Sequence, residues 1–142
     1  MIRAEDIMTR NIIDVMESDD VYQAFSKFHQ HHIHQLLVVN VDSELCGMVS
    51  DRDILRVWAE VTNSHGCSFP KVQSVMTRDV MTCAPRDKLT HITEMMLEHR
   101  LHAIPIVCPR RRPLGIITST DLLRFSLKNL NILNARPIFA RI

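Results

Sequence analysis

The chain has 142 residues, of which 46% are hydrophobic and 23% charged, a globular balance that excludes an intrinsically disordered polymer. A net charge of +1 gives no basic excess of the kind that drives binding to a polyanion, so no nucleic-acid partner is expected. No apolar run approaches the ~20 residues that cross a bilayer, and residues 1–6 lack the apolar core of a signal peptide. The expectation is a cytoplasmic chain with no membrane association.

In chain order, a short β-rich run at 12–16 comes first, and Asp19 is the expected N-cap of a following helix. Val21, Ala24, Phe25 and Phe28 fall at i, i+3, i+4 and i+7, which predicts an amphipathic helix. A continuous apolar strand at 36–39, a polar turn and a second strand at 47–50 follow, and a helix opens directly at 51–60. Residues 61–73 contain Asn63, Ser64, His65, Gly66 and Pro70, a composition that breaks regular structure and reads as a linker. The same order then returns. A β-rich run at 80–84 precedes Asp87 as N-cap, and Leu89, Ile92 and Met96 take helical spacing. Strands at 104–107 and 114–118 lead into a helix at 119–128, and the apolar tail 129–142 has no clean period and is interrupted by Pro137.

The return is an internal repeat. Shifting the sequence by 68 positions lays residues 6–58 on 74–126 without a gap, with eleven identical pairs. They include Met8/Met76, Thr9/Thr77, Gly47/Gly115 and Asp53/Asp121. Chance pairing over that length would give roughly 3. One unit of this size buries only a marginal core, so the repeat predicts an α+β fold of two βαββα copies related by a pseudo-two-fold axis, with a crevice between them. Crevices of this kind are common ligand sites. The expected division is 1–60, linker 61–73, 74–128 and tail 129–142.

The most informative residues lie where each second strand meets its helix. Gly47-Met48-Val49-Ser50-Asp51-Arg52-Asp53 and Gly115-Ile116-Ile117-Thr118-Ser119-Thr120-Asp121 share a Gly, two apolar residues, a hydroxyl, two spacers and an Asp. A hydroxyl at N-cap with an acid at N3 is a capping box, and an acid there suits the helix dipole. The same groups also suit a nucleotide. Free N–H groups at a helix N-terminus bind phosphate, and a carboxylate one turn along can accept both hydroxyls of a ribose.

These paired motifs, the lead-in segments Asp6-Ile7-Met8-Thr9 and Ser74-Val75-Met76-Thr77, and His102-Ala103-Ile104-Pro105-Ile106-Val107 resemble the CBS-domain family across residues 3–126. The resemblance implies a tandem CBS pair with two clefts that takes AMP, ADP, ATP or S-adenosylmethionine as a regulatory ligand and requires no cofactor. It places ribose on Asp53 and Asp121, and phosphate near Ser50 and Thr118. The base would meet Ile13, Asp14 and Leu37 in one copy and Met81, Thr82 and Pro105 in the other. It also implies a homodimer assembled through its helices. With no further domain in these residues, the output is expected to pass in trans to a regulated protein that the sequence does not identify. The alternative is a structural or interaction module whose motifs serve only as caps.

The sequence departs from the family pattern at Leu37, where Pro is common, and after His34 and His102, where Gln35 and Ala103 replace an Arg found in nucleotide-binding members. Phosphate charge is then expected to be met by Arg52 in copy one and Arg100 in copy two, with His34 and His102 also on the phosphate side of each cleft. Pro105 and Arg100 favour the copy-two cleft.

His29, His31, His32 and His34 form a cluster that fits a helix terminus better than a metal site, and no metal is expected. Arg110, Arg111 and Arg112, between Pro109 and Pro113, read as a solvated loop. The cysteines at 46, 67, 83 and 108 form no Cys-x-x-Cys pair and read as reduced thiols, with Cys83 and Cys108 as small buried hydrophobes. No nucleophile–base–orienter set or phosphate loop is present, so an enzyme is not expected.

Overall fold

A computed structural model describes residues 1–63 and 68–133. Ser64 to Cys67 of the expected linker and the tail beyond 133 lie outside the described residues. Copy one contributes strands β1 (Asp14–Met16), β2 (Gln35–Val39) and β3 (Leu45–Ser50) and helices α2 (Val21–His31) and α3 (Asp51–Asn63). Copy two contributes α4 (Leu89–Glu98), β4 (Ala103–Val107), β5 (Pro113–Thr118) and α5 (Ser119–Leu133). A short helix α1 (Ala4–Ile7) and a 3₁₀ turn (Val72–Ser74) precede the two copies at equivalent places.

In the first sheet β1 runs parallel to β2, and β2 pairs antiparallel with β3. The second sheet is the hairpin β4–β5. The strand expected at 80–84 is reduced to one parallel bridge between Cys83 and Ile106. The cause is two prolines. Cys83 N–H bonds the Pro105 carbonyl at 3.1 Å and Val107 N–H bonds the Cys83 carbonyl at 2.9 Å. Extending the ladder upstream needs an N–H at position 105, and extending it downstream needs one at 85, where Glu17 of copy one donates to Val39 at 2.9 Å. Proline supplies neither.

Helices α2 and α4 do not begin with the caps expected at Asp19 and Asp87. Asp20, not Asp19, caps α2: its Oδ1 accepts from Gln23 N–H, and Gln23 Oε1 accepts from Asp20 N–H, both at 2.9 Å. Asp19 and Asp87 instead close the preceding turns, accepting from Met16 N–H at 3.0 Å and Ala84 N–H at 2.7 Å. A carboxylate one position earlier reaches back to the strand end rather than forward to the helix. The expected apolar spacing holds for Val21, Ala24 and Phe28, and for Leu89, Ile92 and Met96, all buried. Phe25 leaves that stripe and joins an aromatic cluster, with its ring 4.9 Å from Trp58, which lies 5.1 Å from Phe69. Copy two has Thr93 and Ser126 in place of Phe25 and Trp58, and a cavity of about 560 Å³ opens there.

Each copy completes the core of the other. Ala4 and Met8 are buried with Ile92, Ile104 and Ile117 of copy two, whereas Val72 and Met76 are buried with Val15, Leu36 and Val49 of copy one. The crossing segments also pair as backbone. Thr9 exchanges both hydrogen bonds with Ile116 (2.9 and 3.0 Å), and Thr77 does the same with Met48 (2.8 and 3.0 Å). The motif glycines make this approach feasible. A Cβ on Gly47 would stand 2.5 Å from Met76 Sδ and 2.9 Å from the Thr77 carbonyl, and one on Gly115 would stand 2.6 Å from Met8 Sδ. A third cluster, Leu37, Leu45 and Val107, joins the two sheets.

The arginine run sits in the β4–β5 turn. Arg111 holds a left-handed backbone (φ 60°), as Ser43 does in the equivalent turn (φ 62°), and its carbonyl accepts from Leu45 N–H across the copies. Cys46, Cys83 and Cys108 are free thiols; Cys83 is buried as expected, but Cys108 is only half-buried. Burial, and then the Glu17 carboxylate, pushes the Cys46 thiol up to about 11, while burial and then Asp87 push Cys83 up to about 11. At pH 8 few of these thiols are ionised, and the thiolate is the nucleophile. Peptide mass spectrometry after iodoacetamide treatment should show both alkylated at least about tenfold more slowly than in the urea-unfolded chain. Equal rates would contradict this placement.

Candidate functional site

The motif residues gather at one end of each sheet. The β2–β3 register sets Ser50 opposite Gln35, and the β1–β2 register sets Asp14 opposite Leu37. Ile13 and Asp14, at the start of β1, therefore share a sheet end with Ser50 and Asp53. Lys27 of α2 donates to the Asp14 carbonyl. Leu37 is only 1% exposed and belongs to the cluster between the sheets, so it lies beneath the surface that the other residues form. In copy two, the β4–β5 register brings Thr118 opposite Ala103, and Met81, Thr82 and Pro105 lie beside the Cys83 bridge. Pro105 is buried, and Met81 and Thr82 are half-buried.

Both acids of the motif act as capping groups. Asp53 Oδ2 accepts from Ser50 N–H at 2.9 Å, and Ser50 Oγ accepts from Asp53 N–H at 3.2 Å. Asp121 Oδ2 accepts from Thr118 N–H at 2.9 Å and from the Thr118 hydroxyl at 3.0 Å, and Thr118 Oγ1 accepts from Asp121 N–H at 3.3 Å. The two copies differ at the second oxygen. Asp121 Oδ1 accepts from the Thr9 hydroxyl at 3.1 Å and lies 3.9 Å from Arg124 Nη1. Among the described residues, Asp53 Oδ1 receives no protein hydrogen bond. Sequence reasoning did not include Thr9 in the site. Its identity with Thr77 in a segment leading into a motif was the available signal, but the offset alone does not say which copy such a segment covers.

The helix N-termini also differ in charge. His34 Nδ1 pairs with Asp51 Oδ2 at 2.7 Å, with side chains 85% and 38% exposed, a surface pair that contributes little to stability. In copy two, Ser119 N–H and hydroxyl both donate to the His102 carbonyl, at 2.9 and 3.3 Å. Arg52 is exposed on the first turn of α3, and Arg100 is exposed at a left-handed position (φ 54°) just beyond α4, matching His32 (φ 53°) after α2. His29, His32 and His34 line a cavity of about 410 Å³ with Asp51, on the helical face rather than at the motif carboxylates. Among the described residues, no three His, Cys, Asp or Glu side chains are grouped so as to hold a metal ion.

The sequence profile of the CBS domain matches residues 4–60 and again 72–128. The chain belongs to the CBS-domain family. It is 30% identical over 118 residues to L-aspartate semialdehyde sulfurtransferase of Methanosarcina acetivorans, covering 83% of this chain and 22% of that protein. The chain spans from about a fifth to two fifths of the length of the curated relatives it matches, some of which are enzymes by name. Its fold is that of the CBS domain pair of protein MJ0100 in complex with 5′-methylthioadenosine and S-adenosyl-L-methionine. That likeness has a TM-score of 0.80 at 23% identity and covers 91% of this chain and 98% of the other. CBSX2 in complex with AMP, a protein of Arabidopsis thaliana, gives a TM-score of 0.80 at 24% identity, covering 92% and 99%. Among the described residues no helix is long and apolar enough to cross a membrane.

Proposed function

We propose that this CBS pair is a regulatory, non-enzymatic module that binds an adenosine-containing ligand in its inter-repeat clefts. The ribose diol would rest on Asp53 or Asp121, phosphate would lie on the side of Ser50 and Thr118, and Ile13, Asp14, Met81 and Thr82 would border the base. The observation that carries this reading is the Oδ1 of Asp53, a carboxylate oxygen at a sheet end with no protein donor among the described residues. Solved CBS pairs of the same fold hold 5′-methylthioadenosine, S-adenosyl-L-methionine and AMP. Output passes in trans from a cytoplasmic homodimer. Leu123, Leu127 and Leu130 form an exposed i, i+4, i+7 stripe on α5 that supports association through helices.

The test is isothermal titration with AMP, ATP and S-adenosylmethionine. A hydrogen bond to a charged group contributes about 1.5–3 kcal/mol, so Asp53→Asn is expected to weaken AMP binding in its cleft at least about tenfold. Asp121→Asn is expected to do the same in the other cleft. The capping boxes favour a second reading, in which these acids only hold helices. Under that reading the wild type binds none of the three ligands, and both substitutions lower the melting temperature without any ligand-linked shift.

A further inference from the structure

The two clefts carry the same acid but not the same freedom. Asp121 is 9% exposed at its side chain and both its oxygens are engaged: Oδ2 by Thr118, Oδ1 by Thr9 with Arg124 nearby. Asp53 keeps one oxygen open among the described residues. Thr9 and Thr77 are equivalent in the repeat, and each is held by two backbone bonds to the opposite copy. Only Thr9 turns its hydroxyl onto the motif acid. The difference therefore lies in side-chain contacts, the Thr9 hydroxyl from across the copies together with the Thr118 hydroxyl and Arg124 within copy two, and not in the path of the backbone. A cis-diol approaching Asp53 finds an acceptor without a donor. A diol approaching Asp121 must first displace a hydroxyl already bonded there, and exchanging one donor for another gains little.

We propose that Thr9 is a selectivity residue that makes the clefts unequal: the Asp53 cleft fills first, and the Asp121 cleft is held back by a hydroxyl from the opposite copy's lead-in segment. This ordering reverses the sequence-based preference for the copy-two cleft, and it rests on the adenosine reading above. Because Thr9 lies two residues beyond α1, filling the second cleft turns a side chain on a segment whose Ala4 and Met8 are buried in copy two.

The experiment is AMP titration of wild type, Thr9→Val and Thr9→Ser, each also carrying Asp53→Asn or Asp121→Asn. Valine keeps the β-branched shape at this exposed position and removes the hydroxyl, while serine retains it. The wild type is expected to show a tight site that Asp53→Asn removes and a weaker one that Asp121→Asn removes. Thr9→Val should tighten the weaker site by about 2–10-fold and leave the tight site unchanged, with Thr9→Ser close to wild type. Two equal sites in the wild type, a tight site lost with Asp121→Asn, or a Thr9→Val protein with an unaltered or weakened second site would each overturn the ordering alone. Absence of AMP binding in both wild type and Thr9→Val would overturn the adenosine reading and the ordering with it.

Discussion

Replacing Gly47 with alanine is expected to destabilise the protein by about 1–3 kcal/mol, with Gly115→Ala similar. The added methyl meets the Met76 side chain at 2.5 Å and the Thr77 carbonyl at 2.9 Å. The thioether can swing aside. The carbonyl cannot, because it accepts from Met48 N–H at 3.0 Å and so holds the two copies in register. The strand must open or the lead-in segment must lift, and either movement loosens the core that Met76 completes. Thermal melts should show a fall of several degrees for each variant. A melting temperature within one degree or so of wild type would mean that the close approach is not what fixes glycine here.

The larger expected effect comes from Met8 and Met76. Each is only 8% exposed, and truncation of such a side chain to alanine costs about 2–5 kcal/mol. Where the loss falls is the sharper test. The first family match contains Met8 and the second contains Met76, yet Met8 packs with Ile104 and Ile117, and Met76 packs with Val15 and Val49. Hydrogen exchange of Met8→Ala should therefore show protection lost first in α4, β4 and β5. Met76→Ala should lose it first in β1, β2, β3 and α2. Losses confined to the copy that contains each methionine in sequence would refute the crossed packing.

The division into two copies was legible because a fixed offset preserves both the apolar spacing and the motif positions. The offset also misled. It carried the first strand of copy one onto 80–84, although Pro85 and Pro105 were in view and each deletes a donor that a parallel strand needs. It could not reveal the crossing, since Met8 and Met76 are equivalent to each other whichever sheet each one covers. The paired identities Met8/Met76 and Gly47/Gly115 were the trace of it: a residue without a side chain and a bulky neighbour, kept in both copies. The capping role of Asp53 and Asp121 was legible from spacing alone. The inequality between them was not, because it depends on one rotamer of Thr9 and on contact between residues 112 positions apart. Trp58 and Phe69 also escaped the sequence reading, as their ring contacts join a helix to a residue within the expected linker.

The crossed lead-in segments have a consequence for how the protein is made. Residues 4–9 find their partners in copy two, roughly 80 to 110 residues later in the chain. At a synthesis rate of roughly 5–20 residues per second, Met8 waits on the order of 10 s before Gly115 exists. During that interval α1 has no surface to bury it, and copy one still lacks Val72 and Met76 until translation passes them. Folding domain by domain during synthesis is thereby restricted: the first half becomes complete only when the start of the second has been translated, and the second closes on a segment translated before either copy's sheet.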